Sequence, residues 1–184
     1  GLLAGLADCL NDRPAFVINA RSYWQYAAAS PNRKAGNLYA ATKNAADEIL
    51  AYYAAETPIQ IAGVVLGDTY GPSDPRGKFV SHIAQSAKAN TCLQLFNPQH
   101  PVSLLHVSDV VSGFLALYKH LKDTQESHID YRLISPEIIT LDDLVKRAAH
   151  IFETPISVHY PDGAGRKMKN LPPWHLGRKI PGWA

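Results

Sequence analysis

The sequence predicts an α/β fold built on a doubly wound parallel sheet, and three observations predict it. Ala15-Phe-Val-Ile-Asn19 and Ile59 to Leu66 are short, nearly continuous apolar runs, as strands covered on both faces require. Between them, a segment from about Asn37 to Glu56 carries the strong helix formers Ala40, Ala41, Ala45 and Ala46. Strand, helix, strand in that order is the repeating unit of a parallel sheet.

The elements follow in order. Leu2, Leu3, Leu6 and Leu10 recur at helical spacing, so the chain opens with a helix to about Asn11. It has no capping residue or preceding strand and is expected to begin inside an element, as a fragment would. Asp12-Arg-Pro14 reads as a turn before the first strand, and Ser22 to Gly36 as a polar, aromatic loop. Thr57-Pro58 closes the long helix, because proline cannot continue it. Gly67 to Gly77, rich in Gly, Pro and Asp, predicts a loop of tight turns. A helix from about Lys78 to Lys88 follows, then short strands at Leu93 to Phe96 and Val102 to Val107. Ser108 is a candidate N-cap for a helix to about Leu121. Tyr131 to Ile134 reads as a sheet strand, Thr140-Leu-Asp-Asp143 as a capped start for a helix to about Phe152, and Ile156 to Tyr160 as a last strand. A tail containing Pro, Gly and Trp ends the chain, and no internal repeat is present.

Composition narrows the function. The 184 residues suffice for one domain with a small appendage, and 46% hydrophobic residues is an ordinary globular value. A formal charge of +2 and the lack of a basic run argue against nucleic acid. Lys167, Lys169, Arg178 and Lys179 read as a solvated basic tail. Cys9 and Cys92 lie far apart with no metal-ligand spacing, which suggests free thiols in a reducing, cytoplasmic compartment, with no metal site. No apolar run approaches a membrane span, and no basic leader precedes the first apolar residues.

The chemistry-bearing candidate is Tyr39-Ala-Ala-Thr-Lys43, which sets a phenol and an ammonium one helical turn apart. A cation beside a phenol favours the phenolate and makes it a better proton shuttle near neutrality. Spacing alone is weak, because nine Tyr and ten Lys produce a second such pair at Tyr118 and Lys122. That second pair sits near the end of a helix whose apolar residues mark a packing face. Its cations suit the negative end of the helix dipole, so it reads as structural. Tyr39 and Lys43 instead open a helix after a buried strand and a loop carrying Ser22. Ligands in open α/β sheets bind at the carboxyl ends of the strands. The strand ending at Leu66 opens a further loop at that edge.

With these residues in place, the chain resembles the short-chain dehydrogenase/reductase superfamily, and within it the extended branch of NAD-dependent nucleotide-sugar epimerases and dehydratases. Four segments carry the resemblance, in order: Asn19-Ala-Arg-Ser-Tyr-Trp-Gln25, Asn37-Leu-Tyr-Ala-Ala-Thr-Lys43, Asp68-Thr-Tyr-Gly-Pro-Ser-Asp-Pro-Arg76 and Leu105-His-Val-Ser-Asp-Val-Val111. Enzymes making CDP- or dTDP-linked deoxysugars are the most similar in character. The resemblance implies a partial Rossmann-like parallel sheet with a small C-terminal α+β substrate-binding portion. Residues 1–68 would be the remaining part of the dinucleotide-binding domain. Residues 69–184 would bind mainly substrate, with 103–134 returning to the sheet.

The resemblance further implies Tyr39 as general acid/base and Lys43 as its support and as a ligand of the nicotinamide ribose. Ser22 would orient the substrate oxygen. Gly67 would line the cofactor and Asp68 the substrate, where the family more often has an aromatic residue and Asn. Arg76 would meet a substrate phosphate. Tyr23 and Trp24 would wall the sugar pocket. A homodimer through the helix 37–56 is a further implication.

Two departures qualify this. The Arg that often precedes the His-Val-x-Asp segment is replaced by Pro101-Val-Ser-Leu-Leu105. No glycine-rich dinucleotide loop follows a strand, and Gly163-Ala-Gly165 lacks the third glycine and the βαβ setting. Weak or absent binding of NAD or NADP by this chain is therefore expected, and with it no activity of this fragment by itself, the strands at Ala15 and Ile59 losing sheet neighbours. Two rival readings are a non-catalytic binding or oligomerisation module, and a hydrolase built from Ser22, His106 and Asp109. The hydrolase lacks the glycines of a nucleophile elbow.

Overall fold

The computed structural model describes residues 1–9, 15–27, 35–124, 126, 128–162 and 175–183. The chain begins with α1 (Leu2–Cys9), β1 (Ala15–Ser22), α2 (Trp24–Ala27), α3 (Leu38–Glu56) and β2 (Ile59–Leu66). Next come β3 (Asp68–Tyr70), α4 (Phe79–Ala89), β4 (Leu93–Gln94), β5 (Pro101–Val102) and β6 (Leu104–His106). The last elements are α5 (Val107–Leu121), β7 (His128–Leu133), β8 (Ile139–Thr140), α6 (Leu141–Ile151), β9 (Val158–His159) and β10 (Arg178–Lys179). They form two compact units: Gly1–Gly67 with Ser108–Ile134 and Pro172–Ala184, and Asp68–Val107 with Ser135–Leu171.

The first unit is the parallel α/β sheet the sequence predicts, in the order β1-β2-β7-β10. Strand residues alternate between its faces. On one face Leu50 and Ala54 of α3 pack on Ile59 and Ile61 of β2, with Leu3 and Leu6 of α1 and Val17 of β1 against them. On the other, α5 approaches so closely at Gly113 that a Cβ there would lie 2.3 Å from Leu133. Helices thus cover both faces, which is why β2 is almost wholly buried.

The long helix starts and stops where its ends are satisfied. The Asn37 side chain accepts the Ala40 N–H at 2.8 Å, and the Thr57 backbone N–H bonds the Tyr53 carbonyl. Three expectations for this unit change. Ser22 is not in a loop: β1 runs to it, pairing Ser22 with Leu66, and α2 follows. The loss of neighbours does not apply to β2, which lies between β1 and β7; among the described strands β1 and β10 form the two edges. Arg178 and Lys179 are exposed, but they form β10 by pairing with Tyr131 and Arg132. Gly177 permits this, since its φ is +84° and a Cβ would meet the Tyr131 backbone at 2.7 Å.

Among the described residues, the second unit holds three two-stranded ladders and two helices. In β3–β6, Asp68 pairs with Leu104; the other ladders join β4 to β9 and β5 to β8. Ile83, Leu93 and Val145 form its core, with Phe79, Leu144 and Ile156 packed on them. The expected strand Val102–Val107 is broken because Ser103 turns inward. Its hydroxyl accepts the Ser135 N–H at 2.8 Å and its carbonyl the Asp68 N–H at 2.7 Å. The predicted loop Gly67–Gly77 accordingly contains β3. The predicted strand at Ile156–Tyr160 shortens to Val158–His159. Thr140 caps α6 as expected, accepting from the Asp143 N–H. Ser108 is no cap, because α5 already begins at Val107. The turn Asp12–Pro14, the segment Gly163–Gly165 and the basic residues Lys167 and Lys169 lie outside the described residues. Among the described residues no helix is long and apolar enough to cross a membrane.

Candidate active site

Within the first unit, β1 carries Ser22 and α3 carries Tyr39 and Lys43, the three residues singled out from the sequence. Ser22 ends β1 at 8% exposure, and its Oγ accepts the Trp24 N–H at 3.3 Å. Lys43, in the second turn of α3, extends its ammonium to the carbonyl of Ala20 at 2.7 Å. The charge is thus fixed at the carboxyl end of β1, two residues from Ser22. Tyr39 lies one turn earlier and is 51% exposed, while the adjacent Ala40 is fully buried. Gly67 follows β2, its N–H donating to the Leu133 carbonyl at 3.0 Å. Tyr23 belongs to the core, packed with Val65 and Tyr26. Trp24 stacks on Tyr23 with ring centroids 5.1 Å apart and keeps 39% of its surface exposed.

The second Tyr–Lys pair has a different geometry. Lys122 lies beyond the end of α5 with Nζ 4.6 Å from the centre of the Tyr118 ring, a cation–π contact that addresses the face and not the hydroxyl.

Asp68 and Arg76 lie in the second unit. Asp68 opens β3, and its carboxylate is near enough to Lys78 and His100 to favour the charged form of each. Burial nevertheless dominates both, and holds Lys78 and His100 below their ordinary pKa values. Lys78 Nζ donates to the carbonyl and the hydroxyl of Thr69, at 3.0 and 3.1 Å. Arg76 makes a two-bond fork with Asp74, at 2.7 and 2.8 Å, which lowers the Asp74 pKa to about 2. His106 meets Tyr70 edge-on at 5.3 Å. Among the described residues no group of three His, Cys, Asp or Glu side chains could hold a metal ion.

Sequence reasoning passed over a polar cluster beside Ser22. Arg21, only 5% exposed, bonds Asp47 through Nε at 2.8 Å and Asp130 through Nη1 at 2.6 Å. Burial opposes its charge, and the two carboxylates outweigh that and raise its pKa. Its Nη2 is 3.3 Å from His128 Nε2, and Asn19 Nδ2 donates to Asp47 at 2.8 Å. The signals were present: an arginine in an apolar strand, an aspartate four residues after Lys43 and therefore on its helix face, and a glycine inside the next strand.

A parallel sheet covered on both faces, with an ammonium and a serine at a strand's carboxyl end, is the architecture of Rossmann-like proteins. The signature of the NAD dependent epimerase/dehydratase family matches residues 11–132, and the chain belongs to that family. It is 29% identical over 98 residues to CDP-abequose synthase of Yersinia pseudotuberculosis, covering 53% of this chain and 34% of that one. The corresponding enzyme of Salmonella typhimurium strain LT2 is 28% identical over 108 residues, or 58% and 36% of the two chains. The fold matches MoeE5, solved in complex with UDP-glucose and NAD, with a TM-score of 0.71 at 16% identity, over 97% of this chain and 58% of that one. The chain thus spans about a third of the length of the curated relatives and somewhat over half of the structural one.

Proposed function

We propose that this chain supplies the acid–base part of the active site of an NAD(P)-dependent epimerase, dehydratase or reductase acting on a nucleotide-linked sugar. The observation that carries the reading is the Lys43 ammonium held on the Ala20 carbonyl at the end of β1, with Ser22 beside it and Tyr39 one turn back and half-exposed. An ammonium has three donors, so two remain for the Tyr39 hydroxyl and a ribose hydroxyl. NAD or NADP, when bound, would accept hydride from the sugar or, in its reduced form, return it. Tyr39 takes the proton from the reacting sugar hydroxyl and returns it in the reverse step. Ser22 donates to the substrate oxygen and stabilises charge developing on it.

The residues present fit the nicotinamide-ribose end of the cofactor. They do not fit the pyrophosphate, because no glycine-rich loop follows a strand in this sequence. In this reading the second unit, taken by itself, is the substrate portion, with Asp68 and Arg76 as its candidate substrate contacts. Arg76 would exchange Asp74 for a substrate phosphate, which matches its fork equally well. The CDP-sugar character of the curated relatives favours a nucleotide sugar of that kind.

The test has two parts. Titration calorimetry of the 184-residue chain is expected to show weak NAD binding or none, and tight stoichiometric binding would remove the argument from the missing loop. In a longer protein containing this chain, Tyr39→Phe is expected to lower turnover by about 10²–10⁴-fold, the range of a lost general acid–base group. Unchanged turnover would sink the assignment.

A second reading, an oligomerisation module, is favoured by α3 itself. It exposes Leu38, Ile49 and Tyr52, at 78%, 55% and 64%, along one stripe with exposed Ala41 and Ala45 between. The two readings are compatible if α3 pairs with α3 of a second copy.

A further inference from the structure

Gln25 is a 6%-exposed glutamine with its amide fully engaged between β1 and α3. Its Oε1 accepts the Ser22 N–H at 2.9 Å. Its Nε2 donates to Asn44 Oδ1 at 3.1 Å and to Asp47 Oδ2 at 2.8 Å. Asp47 Oδ1 in turn accepts from Asn19 and Arg21, both in β1. Asn44 and Asp47 belong to the helix turn that begins at Lys43, whose own ammonium grips the Ala20 carbonyl. Every polar bond described between α3 and the end of β1 therefore lies within about one turn of Lys43 and two residues of Ser22 or Arg21. Arg21 anchors the assembly to the sheet by reaching across β2 to Asp130, over Gly63, where a Cβ would lie 2.4 Å from its Cζ.

We propose that Gln25 and Asp47 are positioning residues: they clamp the backbone of Ser22 to the helix turn carrying Lys43, and so fix the distance between the serine and the Tyr39–Lys43 pair. This rests on the reading of Ser22, Tyr39 and Lys43 given above. The clamp has a defined polarity. The glutamine gives its two N–H groups to the helix and its carbonyl to Ser22, so the amide has no spare donor. A buried network with every member satisfied is rigid, and loses that property when one member is reversed. A catalytic pair must be held close to its productive geometry, because small displacements cost large factors in rate.

Reversing the polarity tests the clamp. Gln25→Glu keeps the acceptor for Ser22 but sets a carboxylate against Asp47. Asp47→Asn leaves one acceptor where two are needed, so its N–H₂ opposes either the Gln25 amide or the Arg21 and Asn19 donors. The double variant Gln25→Glu with Asp47→Asn restores complementarity, since the amide introduced at position 47 can donate to the carboxylate introduced at position 25, and Asn44 can turn its own amide to do the same. In the 184-residue chain, two local readouts are followed: amide hydrogen exchange at Ser22 by NMR, and the acetylation rate of Lys43 relative to exposed Lys88 by mass spectrometry. Each single variant is expected to raise Lys43 acetylation about tenfold, as loss of one charge-assisted hydrogen bond shifts a local opening. Ser22 exchange should rise in the same way with Asp47→Asn, and the double variant should return both rates to within about threefold of the parent chain. Where a single variant does not fold, the two rates of the double variant, compared with those of the parent chain, decide. Singles that only lower the melting temperature with both rates unchanged, or a double variant no better than the worse single, would overturn the proposal. Neither readout requires turnover. If they respond as expected while Tyr39→Phe leaves turnover of a longer protein unchanged, the clamp stands and the catalytic reading falls.

Discussion

At the residue scale, the space that Arg21 occupies is created by a glycine on another strand. Gly63 pairs with Asn19 on one side and Asp130 on the other, and the guanidinium lies over it. Gly63→Ala introduces a methyl 2.4 Å from Arg21 Cζ. The arginine is flexible, but moving it breaks bonds to both Asp47 and Asp130. We expect Gly63→Ala to destabilise the first unit by about 1–3 kcal/mol, as overpacking beside a pinned group does, read as a lowered denaturant midpoint with unchanged slope. A change below measurement error would mean that the guanidinium has room elsewhere. The placement of Tyr39 and Lys43 one turn apart on α3 was legible in the sequence, because spacing along one helix is local information; the run of β1 on to Ser22 was not. The partners of Arg21 were not, since Asp47 is 26 residues away and Asp130 on a third strand. Only the anomalies of an arginine and a glycine inside apolar strands betrayed the contact.

At the element scale, long periodic segments were read closely and two-residue ladders were not. The bounds of β2 and the start, cap and end of α3 follow from composition and from Asn37, Thr57 and Pro58. The extension of β1 through Arg21 and Ser22 depends on β2 pairing with it residue for residue, and β10 exists only because β7 offers it an edge. Such short strands are defined by their partners, which no local pattern reveals. In the second unit, the join between α6 and the preceding loop carries a titratable group. The His100 carbonyl accepts the Leu141 N–H at 3.0 Å, and burial lowers the His100 pKa below 6.5, with Asp68 offsetting part of it. Between 6.5 and that lowered value, the unfolded chain binds the proton more readily than the folded one. Stability therefore rises with pH through this window, is complete above it and is lost as pH falls through it. Thermal melts of the second unit followed between about pH 5 and 7 are expected to shift downward on acidification. Replacing His100 by Gln should flatten that dependence, and an unchanged slope would assign it to another group.

At the scale of the whole molecule, the question is what an α/β unit does with a half-covered edge and an apolar helix stripe. All but the last two residues of β1 are only partly buried, unlike those of β2, and the exposed stripe of α3 runs from Leu38 through Ala41 and Ala45 to Ile49 and Tyr52. Small residues between large ones at helical spacing allow a second helix to approach closely, and large apolar groups beside them give the approach its driving force. Antiparallel pairing of α3 with its copy would bury Ile49 and Tyr52 while leaving the Lys43 face on β1. We therefore expect a monodisperse dimer by light scattering, with heterogeneous aggregates as the contrary result. Ile49→Glu is the discriminating substitution. Residues two apart on a helix point to roughly opposite sides, so Ile49 faces away from the Asp47 contacts and is exposed. A dimer through α3 should then dissociate to folded monomer with its secondary structure intact. A dimer indifferent to Ile49→Glu would place the interface elsewhere, and would remove the physical reason for reading α3 as more than the bearer of Tyr39 and Lys43.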